Sequence, residues 1–252
     1  MDCLRIVTDL ITAIGTLVLA AVAVFQESIR SCFYHPTLQI SIGTRVPDCF
    51  AVPIRALDGT FANSVYLRLW IENTGNATAE NAEVYAERLR VRRVDNEWEL
   101  VGTFPPMNLK WAYFGNMYFP RIAPRMGKHC DLGHITDPAR RAVVDEDAPR
   151  LALTDQQTSL AFDLIASPND RSHIVGPGEY RLDIVVAAGN ARPVRRTIAI
   201  SLRGPWYDDE ARMLRDGVGV SVLKKETDKA PESPSAEGQK SQKCFVRASR
   251  TD

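Results

Sequence analysis

Residues 64–72 read Ser-Val-Tyr-Leu-Arg-Leu-Trp-Ile-Glu. Val65, Leu67, Leu69 and Ile71 share one parity, and Tyr66, Arg68, Trp70 and Glu72 share the other. Side chains of an extended chain alternate sides, so this stretch is a strand with one face in a core. The pattern recurs in Leu38, Ile40 and Ile42, and in Leu160, Phe162 and Leu164 with Ser159, Ala161 and Asp163 opposite. It recurs again in Tyr180, Leu182, Ile184 and Val186, and in Val194, Ile198, Ile200 and Leu202. Asn73-Thr74-Gly75-Asn76, Gly176-Pro177-Gly178 and Gly189-Asn190 punctuate these runs with residues that supply turn geometry. No long amphipathic helix alternates with the strands, which argues against a parallel βαβ sheet. The expected fold is mainly β, an antiparallel sandwich of two packed sheets.

Residues 84–94 are less regular. Val84 and Ala86 lie on one parity, Leu89 and Val91 on the other. A shift of one residue near Glu87-Arg88 predicts a β-bulge, with a helical start over 79–88 as the alternative.

Before the sandwich, residues 10–25 (LITAIGTLVLAAVAVF) carry no charge. Sixteen helical residues span roughly 24 Å, against a hydrocarbon core of about 30 Å. Leu4, Ile6, Val7 and Ile29 extend the apolar character past Asp9 and Glu27. A helix from about Leu4 to Phe33 therefore reads as a single-pass membrane anchor, with Phe25, Phe33 and Tyr34 suited to an interfacial belt and Pro36 enforcing the stop. A cleaved signal peptide (Ala21-Val22-Ala23 is an A-x-A match) and a helix packed in a core or on a partner are the alternatives. Arg5 precedes the segment, while Arg30 and Arg45 follow it, which tips the domain toward the cytoplasmic side. Cys3, Cys32, Cys49, Cys130 and Cys244 are odd in number and irregularly spaced, so no disulfide framework is expected and a reducing compartment fits.

The stretch YLRLWIENTGNATAENAEVYAERLRV resembles the strand–loop–strand of bacterial immunoglobulin-like domains of the cell-adhesion-related (CARDB) kind. Such domains show a hydrophobic strand ending in N-x-G and then a small-residue loop. VGPGEYRLDIVV resembles their penultimate strand, and VRRTIAISL a final one. The resemblance covers roughly Leu38–Leu202 and matches poorly between Asn96 and Thr158. It implies an immunoglobulin-like sandwich that serves adhesion or interaction and has no catalytic residues. A membrane helix followed by such a domain is also similar to many uncharacterised bacterial proteins.

Three parts follow: an apolar helix over 1–35, a sandwich over 36–223 with an insertion at about 96–158, and a polar tail over 224–252. The tail is rich in Pro, Ser and charge, lacks the apolar surface to offset ordering entropy, and is expected to be disordered. Before it, residues 206–215 read as a short helix with Asp208, Asp209 and Glu210 at its positive end. Val218, Val220 and Val222 suggest one more edge strand.

Within the insertion, NLKWAYFGNMYFP (108–120) gathers aromatic residues. Trp111, Tyr113, Phe114 and Tyr118 are the candidate binding residues, because aromatics give large contact area at low entropy cost. The competing reading is that they feed the core. Residues 137–150 (DPARRAVVDEDAPR) read as a solvated connection.

Catalytic signatures are absent from the sequence: there is no G-x-S-x-G elbow, P-loop, H-E-x-x-H or G-x-G-x-x-G. His129, Cys130, Asp131 and His134 form the densest metal-ligand cluster. Strand alternation would put His129 and Asp131 on one face and Cys130 and His134 on the other unless Gly133 turns the chain, so no metal or other cofactor is expected. Arg88, Arg90 and Arg92 share a parity, but Glu87, Asp95, Glu97 and Glu99 interleave them, so a mixed solvated face is favoured over a basic patch.

The whole chain holds 31 basic and 31 acidic residues, 45% hydrophobic, which excludes wholesale disorder and a polytopic membrane protein and argues against strong non-specific nucleic-acid binding. The expected function is a membrane-anchored, non-enzymatic protein that contacts the bilayer through residues 10–25 and presents a domain to a protein partner. The alternative is a membrane-tethered enzyme or ligand sensor with its site in 96–158.

Overall fold

The structure, a computed structural model, describes residues 2–144, 146, 151–154 and 156–223, with side chains from Ile6 and none over 27–32. The expected disordered tail (224–252) and part of the connection at 137–150 lie outside the described residues.

A single helix, α1 (Asp2–Phe33), opens the chain. It ends three residues before Pro36, whose ring excludes helical geometry from the residue ahead of it. Every described side chain from Ile6 to Gln26 is exposed, so the helix packs on nothing in the sandwich. Thr12 and Thr16 donate their hydroxyls to the carbonyls of Thr8 and Thr12, at 2.9 and 2.8 Å, which satisfies both inside the helix.

The strands follow as β1 (Leu38–Ser41), β2 (Cys49–Arg55), β3 (Phe61–Asn73), β4 (Ala79–Arg92), β5 (Trp98–Leu100), β6 (Met107–Asn108), β7 (Tyr118–Ile122), β8 (Met126–Thr136), β9 (Leu160–Phe162), β10 (Ile174–Val175), β11 (Gly178–Ala188), β12 (Ala191–Leu202) and β13 (Val218–Val222). They form two antiparallel sheets. In the first, β1 and β2 lie along one edge of β3, and β8, β9 and β10 follow on its other side. The second runs β13-β12-β11-β4-β5, with β6 and β7 also on β4. The alternating apolar residues face each other between the sheets: Leu67, Leu69 and Ile71 of β3, Val84, Ala86 and Leu89 of β4, and Leu182, Ile184 and Val186 of β11 are all fully buried.

Two bulges set which residues face out. On β4 the pairing steps from Asp183↔Arg88 to Ile184↔Ala86 and leaves Glu87 unmatched. This is the bulge that the parity change at 84–91 predicts, and it rules out helix over 79–88. On β8 the pairing steps from Leu67↔Gly133 to Arg68↔Asp131 and leaves Leu132 as the extra residue. Nothing in the alternation of 126–136 announces that second bulge.

The stretch 96–158 is not set apart as an insertion. It contains β5 to β8, and β8 is the direct neighbour of β3 over its whole length. Its polar run HCDLGH obscures it because the strand is covered on both faces. The connection at 137–150 is only partly solvated. Pro138–Val144 is a 3-10 helix with Arg141 buried, and Glu146 is buried against the first sheet. The helix expected at 206–215 is shorter, Glu210–Arg212 (α2), and runs on as a wider turn over Met213–Gly217. Asp209 caps it, accepting the Arg212 N–H. The edge strand β13 forms as expected and pairs with β12.

Candidate functional site

The outer face of the first sheet holds the densest chemistry. Opposite residues of β3 and β8 pair across it as Trp70 with His129, Arg68 with Asp131 and Tyr66 with His134. The bulge at Leu132 makes this row. Two consecutive residues, Leu132 and Gly133, are buried, so His134 emerges on the same side as His129 and Asp131. Cys130 points into the core. The sequence alternation had His134 on Cys130's side, so the bulge corrects that placement.

Arg68 sits at the centre. Its Nε donates to Asp131 Oδ1 at 2.7 Å and its Nη1 to the Tyr113 hydroxyl at 2.8 Å. The guanidinium lies 4.4 Å from the Phe50 ring centre and 4.5 Å from that of Tyr113, with Tyr66 at 5.4 Å. A delocalised cation suits such an aromatic cage better than an ammonium does. Burial pushes the Asp131 carboxyl up, and the guanidinium beside it partly restores the anion.

His134 bridges two carboxylates. Its Nδ1 meets Asp163 Oδ2 at 3.1 Å and its Nε2 meets Glu146 Oε1, while its ring stacks on Tyr66 at 5.1 Å. Burial alone would lower its pKa; the carboxylates of Asp163 and Glu146 override burial and raise it to about 10. The ring is therefore an imidazolium at neutral pH. Burial and the carboxylates of Asp163, Asp131 and Glu146 also push the Tyr66 phenol upward. At the other end, His129 Nε2 contacts Asp48 Oδ1 at 3.0 Å and its ring tilts against Trp70 at 4.7 Å. Trp70 lies over Gly127, where an added Cβ would come within 2.3 Å of the indole.

The four aromatic residues singled out in sequence separate. Trp111 is in the core, 1% exposed, so it cannot meet a surface ligand. Tyr113 is 89% exposed with φ near 61°, a left-handed conformation that folds it across β8 toward Arg68. Phe114 and Tyr118 are half exposed, and Phe114 packs on Phe119 with ring centres 5.5 Å apart. An open groove of about 400 Å³ lies between Trp70, Tyr113, Phe114, Phe119, Lys128 and His129.

Arg68, Asp163, Glu146 and Phe50 were not singled out in sequence, and Asp131 was raised only as one of a metal-ligand cluster. One signal was available: Tyr66, Arg68 and Trp70 are large for an outward row meant only for water. Asp163 and Glu146 come from distant segments and give no local signal.

Chemically, the row is closed on itself. Both ring nitrogens of His134 are occupied, and Arg68 is held on three sides. Among the described residues, no group of three or more His, Cys, Asp or Glu side chains could hold a metal ion. The buried thiols of Cys49 and Cys130 are unpaired. Burial, with Asp48 adding to it, pushes the Cys49 thiol up to about 12. On the second sheet's outer face Arg88 and Arg90 flank Asp183 at 3.4 and 2.7 Å, and past the end of β4 Arg93 meets Glu99 at 3.2 Å.

Comparison with protein-family models, with curated proteins and with solved structures found no match.

Proposed function

We propose that this chain is a single-pass, membrane-anchored, non-enzymatic protein that presents an immunoglobulin-like sandwich to a protein partner on the cytoplasmic side. The observation that carries the reading is α1. Its apolar span Ile6–Gln26 is 21 residues long, entirely exposed, and shields its side chains on no part of the sandwich. Twenty-one helical residues rise roughly 31 Å, the thickness of a hydrocarbon core. Exposed apolar surface of that extent calls for a lipid or protein environment.

The immunoglobulin-like assignment draws support from Tyr180, whose hydroxyl donates to the Gly176 carbonyl at 2.8 Å, a bond of the kind made at the tyrosine corner of such sandwiches. The unpaired Cys49 and Cys130 suit a reducing compartment. The non-enzymatic reading rests on the closed network around Arg68 and His134. Tyr113 and Phe114 at the groove, and Tyr118 apart from them, are the exposed aromatic residues offered to a partner.

The full chain expressed in cells should stay in the membrane pellet through alkaline carbonate and enter solution only with detergent. Recovery in the soluble fraction overturns the anchor. Protease added to spheroplasts should leave the sandwich intact, and cleavage from outside overturns the cytoplasmic placement. A tethered ligand sensor is the second reading, favoured by the groove between Trp70 and Phe114. Saturable binding of a small molecule there, lost in Trp70→Ala, would replace the protein-partner assignment.

A further inference from the structure

The end of the sandwich that receives α1 is built from the β3–β4 loop, the β7–β8 turn and the β11–β12 turn. Asn76 ties the helix to it directly. Its Nδ2 donates to the Phe33 carbonyl at 2.7 Å, and its Oδ1 accepts the His35 N–H at 3.0 Å. Asn73, fully buried, accepts the N–H groups of Thr37 and Gly75 on its Oδ1, both at 3.1 Å. Its Nδ2 donates to the carbonyls of Ala77 and Ile122. Gly75 lies so close to the linker that a Cβ would come within 2.4 Å of the His35 carbonyl oxygen. The domain is thus docked on the helix end rather than hung on a loose tether.

That docking fixes a distance. From Gln26 to Phe33 the helix rises about 10 Å beyond the apolar span. The headgroup layer on each side of a bilayer is about 5–8 Å deep. The β3–β4 loop and the β7–β8 turn therefore stand at the outer edge of the headgroups. A groove of about 530 Å³ opens there, lined by His35, Thr37, Thr74, Asn76, Pro124 and Arg125. Arg125 is exposed and held in a left-handed conformation, φ near 60°, by its N–H donating to the Asn73 carbonyl at 2.6 Å. Among the described residues, neither Arg125 nor its neighbours at this end, Arg121 and Arg192, has a carboxylate within ion-pair distance. Arg121 stands opposite Glu80 in the β4–β7 pairing, which offsets part of its charge. Arg125 carries the site.

We propose that this groove binds the phosphate of an anionic lipid headgroup, with Arg125 as its principal contact and Arg121 and Arg192 as flanking charges. A guanidinium forks onto phosphate oxygens, and a juxtamembrane Arg gains from the negative surface potential of the cytoplasmic leaflet. The inference rests on the anchor reading above.

The test uses the full chain reconstituted into nanodiscs of phosphatidylcholine alone or of equal parts phosphatidylcholine and phosphatidylglycerol. Amide hydrogen exchange over 74–77 and 123–126 should slow roughly fivefold on the anionic discs. Arg125→Gln should abolish that slowing, and Arg93→Gln, at the opposite end of the sandwich, should retain it. Should Arg125→Gln melt at a lower temperature than the parent, the pair Arg121→Gln and Arg192→Gln takes its place and should halve the effect. Equal exchange on the two discs, or slowing that survives Arg125→Gln, overturns the proposal and leaves the anchor untouched. Inorganic phosphate producing the same slowing on phosphatidylcholine discs assigns the groove to a free anion and overturns the lipid assignment. A chain that elutes apart from the discs overturns the anchor reading and this inference together.

Discussion

On the outer face of the first sheet Arg68 meets Asp131 at 2.7 Å, with the side chains 8% and 14% exposed; past the end of β4 in the second, Arg93 meets Glu99 at 3.2 Å, with 55% and 57% exposed. Each is an arginine paired with a carboxylate, but the surroundings differ. Around Arg68 the aromatic rings of Phe50, Tyr66 and Tyr113 and the carboxylate of Asp131 replace water. Around Arg93 water screens the charge. The row around Arg68 is therefore largely shielded from water, whereas the pair past β4 meets solvent. An ion pair in the first setting is costly to break by halves, because the surviving charge stays buried. In the second setting the survivor is simply solvated.

The contrast breaks most sharply at Arg68. Arg68→Met should destabilise the fold by about 3–5 kcal/mol, measured by urea denaturation, because Asp131 loses its cation while still buried. A loss below about 1 kcal/mol would mean that the outer face is open to water.

His134 gives the next effect. Its folded pKa of about 10 lies above the ordinary 6.5, so its contribution to stability is fully present below 6.5 and is lost as pH rises through 10. The urea midpoint should fall across that window, and His134→Gln should flatten the fall. A midpoint independent of pH from 7 to 10 would refute the imidazolium bridge.

Gly127→Ala comes third. The new methyl must displace the Trp70 indole, at a cost of about 1–3 kcal/mol typical of overpacking. A red shift in tryptophan emission, absent in Trp70→Phe, should accompany it. Arg93→Ala should change stability by less than about 0.5 kcal/mol. A larger loss there would erase the distinction between the two settings.

Much of this was legible beforehand, and the gaps have physical causes. The alternation at 64–72 announced β3, and the parity change at 84–91 announced the bulge at Glu87, because each is a property of neighbouring residues. The bulge at Leu132 stayed hidden. A leucine followed by a glycine fits either face, and only the partner strand's register reveals the extra residue. The binding residues divided for a similar reason. Trp111 and Tyr113 are alike in sequence context, yet Trp111 pairs beside Cys130 facing the core while the left-handed turn throws Tyr113 outward.

By itself the sequence determined an apolar N-terminal helix, a mainly β domain and the faces of its regular strands. These follow from local periodicity and from the fixed rise of helix and strand. The tertiary structure alone decided that Asp163 and Glu146 would grip His134, that Arg68 would be caged, and that Asn73 and Asn76 would dock the helix end onto the domain. Those contacts join residues 12 to 45 positions apart, or more, and only the register of packed strands brings them within bonding distance.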